Sequence, residues 1–395
     1  MQYDFTSLMD RHGKDAIAVD GVGGPGAPGA PKAGFDVIPM WVADMNFPTC
    51  PTIQQAIIAR AQHPAFGYFD PTPEYYDSII RWQGTRNGVQ GLAKEHIGYE
   101  NGVLGGVISA LNCVCSRGDK VLLHSPTYIG FTHCLENNGY QIIHSPLVKD
   151  EANVWRMDFA DMERRLKEEH IHAAILCNPH NPSGRVFTKE ELTAMGDICV
   201  KHGVTVVSDE IHNDFVFRGE HTVFASIKKE FEDICVVCTS PSKTFNLASM
   251  MISNIFVPNK ELRQKFQHQV DAAGISQLGV LGLVATQTAY EKGDEWYESM
   301  LKYVWENIAY VKKYVKDNMP GVNVIDGEGT YLLWLDFRGT GIDADELDRR
   351  IIYDAKLWLD SGKIFGKTGT GFQRINVAAP RKTIEECMER IKKVL

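Results

Sequence analysis

Lys243 stands in the run Ser240-Pro241-Ser242-Lys243-Thr244-Phe245-Asn246, directly after the apolar stretch from Ile234 to Cys238. A buried strand that ends in small hydroxyl residues and a lysine delivers a primary amine to a pocket already furnished with anion-binding donors. Such an amine can condense with an aldehyde to a Schiff base, while hydroxyls and backbone N–H groups hold a phosphate nearby. Pyridoxal phosphate (PLP) carries both groups. Clusters of Ser, Pro and Lys also occur in exposed turns after strands, so the reading depends on what accompanies Lys243 elsewhere in the chain.

Asp209 follows the apolar residues Val206 and Val207 in Val206-Val207-Ser208-Asp209-Glu210-Ile211-His212. An acid at the carboxyl end of a buried strand is costly unless a cation compensates it. A protonated pyridine nitrogen would do so, and keeping that proton makes the ring an electron sink. An N-cap or an ion pair with an arginine would account for the residue equally well. The run Asn178-Pro179-His180-Asn181-Pro182-Ser183-Gly184 follows Ala173 to Cys177 and forms a rigid turn that can aim the Asn181 amide at a planar ligand.

Three further places complete the set. Asn101-Gly102-Val103-Leu104-Gly105-Gly106-Val107 opens a helix whose small residues let backbone N–H groups approach a phosphate, with the helix dipole favouring the anion. Tyr128, in Pro126-Thr127-Tyr128 after the strand from Val121 to Leu123, can stack on a pyridine ring or simply pack in the core. Arg374, in Phe372-Gln373-Arg374-Ile375-Asn376-Val377, sits in a buried-looking strand where a guanidinium needs an anion. A substrate carboxylate or an internal Asp or Glu would serve.

These residues need a scaffold. From about Pro51 the chain alternates helical periods with short β-branched runs at Lys120 to Leu123, Ala173 to Cys177, Val204 to Val207 and Ile234 to Cys238. Between them, Thr188 to His202 reads as a helix with Thr188 as N-cap, Glu191 at the capping-box position and Gly203 as its stop. This alternation predicts an α/β fold with a mainly parallel, doubly wound sheet, whose ligands bind at the carboxyl ends of strands. The apolar stripe within Glu295 to Asn318 predicts a long helix. Runs at Val322 to Ile325, Tyr331 to Phe337 and Arg374 to Val377, with helices at Asp343 to Tyr353 and Thr383 to Val394, predict an α+β terminal domain. The Gly/Pro-rich stretch from Gly21 to Pro31 has no period and is expected as a mobile surface loop.

With 395 residues the chain is long enough for two to three domain-sized units. Its net charge of -9, with no Lys/Arg block, argues against nucleic acid or an anionic membrane and leaves a small molecule as the expected partner. The absence of a signal-like segment or a membrane-length apolar run predicts a cytosolic protein. The nine cysteines are expected as reduced core thiols. Cys235 and Cys238, three apart in a strand, face opposite sides, which argues against a metal site there.

In their order along the chain these motifs resemble the fold type I PLP enzymes of the aminotransferase class I/II superfamily. Within it the chain is most similar to the MalY/PatB-type carbon–sulfur β-lyases, the cystathionine β-lyases. The resemblance runs from Pro39-Met40-Trp41-Val42-Ala43-Asp44-Met45 to Arg374. His212 stands where most aminotransferases of the superfamily carry a tyrosine, and Met251 where they carry a phosphate-binding arginine, as in the lyase branch. The resemblance implies a large domain over residues 47–290 with a mainly parallel seven-stranded sheet, and a smaller α+β domain from residues 1–46 and 291–395.

It also implies roles. Lys243 forms the Schiff base and removes the substrate's α-proton, Asp209 pairs with the pyridine nitrogen, Asn181 and His212 approach the phenolic oxygen, and Tyr128 stacks on the ring. Phosphate falls to Ser240, Ser242, the backbone of Val103 and Leu104, and Tyr68 from a neighbouring subunit, which implies a homodimer with shared active sites. Arg374, with Asn181, binds the amino-acid substrate. The implied reaction is α,β-elimination to a thiol, pyruvate and ammonia. An aminotransferase would use the same residues, and a non-catalytic ligand sensor could keep the fold. The chain departs from the branch at Asn46, where Asp is usual, at Ala18-Val19-Asp20, where Lys-Trp-Asp is usual, and at Leu247-Ala248-Ser249-Met250, which lacks an expected glycine.

Overall fold

The computed structural model describes residues 3–21, 23, 24, 27, 36–151, 154–275 and 278–395. It divides into two compact units: residues 49–181 with 185–297, and residues 1–48 with 182–184 and 298–395. Most of the Gly/Pro-rich stretch expected as a loop lies outside the described residues.

The larger unit is built on seven strands: β1 (Ile97–Gly98), β2 (Lys120–Ser125), β3 (Gln141–Pro146), β4 (Ala173–Cys177), β5 (Thr205–Asp209), β6 (Cys235–Thr239) and β7 (Asn254–Phe256). Their spatial order is β1-β7-β6-β5-β4-β2-β3. The five strands from β6 to β3 are parallel, and β7 runs antiparallel to both β6 and β1. The central strands are apolar on both faces and almost wholly buried, as expected of a parallel sheet covered on each side.

Register decides where the unusual side chains emerge. Ile175 pairs with Leu123 and Val207, and two residues on Cys177, Asp209 and Cys238 lie abreast. Because side chains alternate along a strand, these share one face with Val121, Ile175, Val207 and Val236. That face packs against helix α1 (Gly102–Asn112) through Val103, Val107, Ala110 and Leu111. α1 lies so close that a Cβ at Gly106 would stand 2.4 Å from Ile255 Cδ1 and 3.4 Å from Cys238 Sγ. All nine cysteines are free thiols, Cys235 and Cys238 fully buried among them.

Helix α2 (Lys189–His202) begins with the expected capping box. Thr188 Oγ1 accepts from Glu191 N at 3.2 Å, Glu191 Oε2 accepts from Thr188 N at 2.8 Å, and Gly203 ends the helix in the left-handed conformation. Glu191 also holds Arg185 at 2.7 Å and Arg156 at 2.9 Å, so the cap is one corner of a partly buried ion-pair network.

In the smaller unit, β8 (Asn323–Val324), β9 (Leu332–Asp336), β10 (Asp360–Ser361) and β11 (Phe372–Asn376) form an antiparallel sheet in the order β8-β9-β11-β10. The long helix is present at Asp294–Asn318 and the last one at Arg381–Val394. The helix expected over Asp343 to Tyr353 is shorter, Ala344–Arg349, and continues as a single π-helical turn, Arg350–Asp354.

Replacing Gly106 by Ala forces α1 away from β7 or Ile255 out of its buried rotamer. Such overpacking should cost about 1–3 kcal/mol. A lowered urea midpoint checks this; an unchanged one would show that α1 is free to shift.

Candidate active site

Most of the residues singled out above lie at the carboxyl ends of the parallel strands. After β6, Ser240 caps the four-residue helix Pro241–Thr244: its Oγ accepts from Ser242 N at 3.1 Å and lies 2.7 Å from both Ser242 Oγ and Ile252 O. Half-buried Lys243 follows on that helix. Asp209 closes the neighbouring strand with 5% exposure. Burial pushes its carboxyl up to about 7, against the 3.0 Å hydrogen bond from Ile211 N and the charge of Lys243, both of which pull it down. The charge that acts on this acid is thus that of Lys243, and not the arginine that the sequence left open.

The turn after β4 puts its two asparagines to different uses. Asn178 is structural: its N–H donates to Asp209 O at 2.9 Å and its Oδ1 accepts from Phe187 N at 3.0 Å. Asn181 is buried further along the same turn, and the His180 N–H donates to Arg185 O at 2.7 Å. After β2, Tyr128 is the N-cap residue of the helix Ile129–Asn138, its ring edge-on to Phe131 at 5.4 Å. A Cβ on Gly130 would stand 2.3 Å from Tyr128 Cε1, so glycine is what lets the tyrosine ring lie across the helix start. Val103, buried, and Leu104, half-buried, occupy the first turn of α1, where unpaired N–H groups collect. His212 is buried beside Phe215. Met251, half-exposed in the left-handed region at φ 53°, brings no charge to its loop.

All of these residues belong to the larger unit. Tyr68 also lies in it but is fully exposed, at 108%, and so stands outside the buried cluster of its own chain. Arg374 belongs to the smaller unit, on β11. Its Nη2 pairs with the carboxylate of Asp360 on β10 and donates to Trp41 O at 3.0 Å, both charged groups being 6% exposed. An internal acid is thus one partner of this arginine. The segment Met40 to Met45 is pinned from the same strand and from Tyr331: Asn376 N donates to Met40 O, Asn376 Nδ2 to Val42 O and Asp44 O, and Tyr331 Oη to Ala43 O. Asn46 accepts from Arg11 at 2.9 Å while Asp44 pairs with the same guanidinium, so the amide at position 46 spares Arg11 a second carboxylate.

Among the buried acids that sequence reading missed are Asp360, Glu210 and Asp214. Asp360 escaped because its pairing with Arg374 crosses antiparallel strands. Glu210, wholly buried, accepts from Ser208 Oγ and Phe224 N and pairs with His221 Nε2 at 2.8 Å. Asp214 accepts from Thr244 and Trp82. An acid directly before the apolar run Phe215-Val216-Phe217 was the available signal.

Residues 36–391 match the model of the family "Aminotransferase class I and II". The chain belongs to this family. It is 37% identical over 361 residues to the cystathionine beta-lyase PatB of Bacillus subtilis, covering 91% of this chain and 93% of that protein. It is 30% identical over 387 residues to the protein MalY of Escherichia coli, covering 97% and 96%. The PLP-bound C-S lyase from Staphylococcus hominis, complexed with L-cycloserine, superposes with a TM-score of 0.92 at 30% identity, over 100% of this chain and 98% of that one.

Asp209 carries a pH signature in the cofactor-free chain. Its folded pKa is raised, so the native state binds the proton more tightly than the unfolded chain and loses stability as pH climbs from about 3.8 through about 7. Asp209→Asn removes that loss. The apoprotein variant should exceed the parent by on the order of a few kcal/mol at pH 8 and match it near pH 4. Denaturation at the two pH values checks this; equal stabilities at pH 8 would refute it.

Proposed function

We propose that this chain is a PLP-dependent carbon–sulfur β-lyase that cleaves L-cystathionine or related cysteine S-conjugates to a thiol, pyruvate and ammonia, with uptake of one water. The carrying observation is that buried Asp209 and half-buried Lys243 stand at the carboxyl ends of adjacent parallel strands, with the lysine charge acting on the acid, in a chain 37% identical to a cystathionine beta-lyase. The donor set suits PLP. Asp209 is a buried acid in need of a cation, Ser240 and Ser242 are hydroxyls at a strand end, α1 presents its N-terminus, and Gly130 gives Tyr128 room to lie flat.

On this reading the larger unit is the cofactor domain. Ser240, Ser242 and the backbone N–H groups of Val103 and Leu104 would hold the phosphate, Tyr128 would cover the ring, and Asn181 and His212 would face the phenolic oxygen. When bound, PLP supplies an electron sink beside the substrate's α-carbon. Asp209 would keep the proton on the pyridine nitrogen, a role its burial favours because a buried acid calls for a cation. Lys243 Nζ would take the substrate's α-proton as general base. Arg374 would receive the substrate carboxylate, with Asp360 fixing the orientation of its planar fork. The fully exposed Tyr68 supports pairing of two copies, each lending this ring to the other's phosphate site. A cytoplasmic enzyme fits the absence, among the described residues, of a helix long and apolar enough to cross a membrane.

Incubation with PLP and L-cystathionine should release pyruvate without any keto acid, and Lys243→Ala should abolish that release. Amino-acid formation dependent on an added keto acid, with no pyruvate in its absence, would assign the chain to the transferases instead. Arg374→Lys retains the charge but loses the fork. KM for cystathionine should rise about tenfold or more, the loss of one charge-assisted hydrogen bond; an unchanged KM would remove Arg374 from substrate binding.

A further inference from the structure

Five residues past Asp209, on the same loop, Asp214 is buried with 5% exposure. Its Oδ2 accepts from Thr244 Oγ1 at 2.6 Å, and Trp82 Nε1 donates to the two carboxylate oxygens at 3.0 and 3.2 Å. Its backbone carbonyl accepts from Tyr297 Oη at 2.6 Å. Thr244, wholly buried, is the residue after Lys243. The next residue, Phe245, has its carbonyl bound by Thr49 Oγ1 at 2.5 Å and its ring edge-on to Trp82 and stacked on Trp296.

We propose that Asp214 and Thr244 form a strut that positions Lys243 relative to Asp209, setting the distance between the amine and the ring-nitrogen acid before any cofactor arrives. The inference rests on the PLP reading above. Apolar packing would hold the two loops together, but only hydrogen bonds fix both separation and direction to a few tenths of an ångström. A buried carboxylate is an expensive way to join two loops, since it must be taken out of water and fully partnered. Burial does push the Asp214 carboxyl upward, opposed by its bonds to Thr244 and Trp82. Its retention makes sense where geometry matters more than stability. Lys243 is such a place, because its side chain has to leave the cofactor and return within each turnover. The backbone that carries it must therefore be held by something other than the cofactor.

The test compares the parent with Thr244→Val, which keeps the shape and loses the hydroxyl, and Thr244→Ser, which keeps the hydroxyl. Titration of each apoprotein with PLP gives the cofactor affinity, and the visible circular dichroism of the bound form reports how the ring is held. Thr244→Val should weaken PLP binding about tenfold to a hundredfold, the loss of one hydrogen bond to a charged group. It should also diminish the visible dichroic band and lower kcat with little change in KM. Thr244→Ser should restore all three. If Thr244→Val does not fold, Thr244→Ala makes the same deletion without the second methyl. A Val or Ala variant with the parent's PLP affinity and dichroism overturns the strut, as does a Ser variant as impaired as Val. A parent chain that takes up no PLP overturns the cofactor reading first, and the strut with it.

Discussion

A carboxylate held away from water at the end of a parallel strand must be answered by a positive charge, and Asp209 is that carboxylate. Its place is set by the ladder: β5 is flanked by β4 and β6, and register aligns Cys177, Asp209 and Cys238 on the face covered by α1. Once the acid is fixed there, the neighbouring strand end has to bring the cation, which Lys243 does from the first turn after β6. The close seat of α1, possible because Gly106 has no side chain, then delivers the helix N-terminus to the same edge of the sheet.

The smaller unit repeats this logic with the signs reversed. Arg374 is the buried cation, and Asp360 and the Trp41 carbonyl are its answer. Asn376, two residues further along the strand, ties down the backbone of Val42 and Asp44. The Met40 to Met45 signature is therefore legible as a physical object: a strip of chain whose carbonyls are taken by the strand that carries the arginine.

Much of this was visible in the sequence. Val206-Val207 and Val236-Val237 announce buried strands because β-branched runs of that length do little else, and the residues at their ends follow directly. The strand ends themselves were misplaced: the apolar run stops at Val207, but Ser208 and Asp209 still pair in the ladder because their backbone does not need apolar side chains. The edge strand Ile97–Gly98 and its neighbour Asn254–Phe256 are too short to carry a period, so only register exposes them. Arg374 could be recognised as a cation in search of an anion, but Asp360 lies 14 residues earlier and pairs across the sheet, a contact no linear pattern encodes. Asp214 hid for the opposite reason, standing so near Asp209 and Glu210 that it reads as one more polar residue of a loop.

Every residue assigned to the ring, and to the phosphate contacts made within one chain, lies in the unit formed by residues 49–181 and 185–297. A ligand stabilises only the structure that binds it, and by an amount that grows with the logarithm of its concentration. Saturation with cofactor thus raises the resistance of that unit to local opening, while within a single chain residues 1–48 and 298–395 keep the protection of the empty protein. In the cell, where proteases sample whatever opens, an enzyme short of cofactor is exposed to cleavage along its whole length, and a loaded one chiefly in residues 1–48 and 298–395.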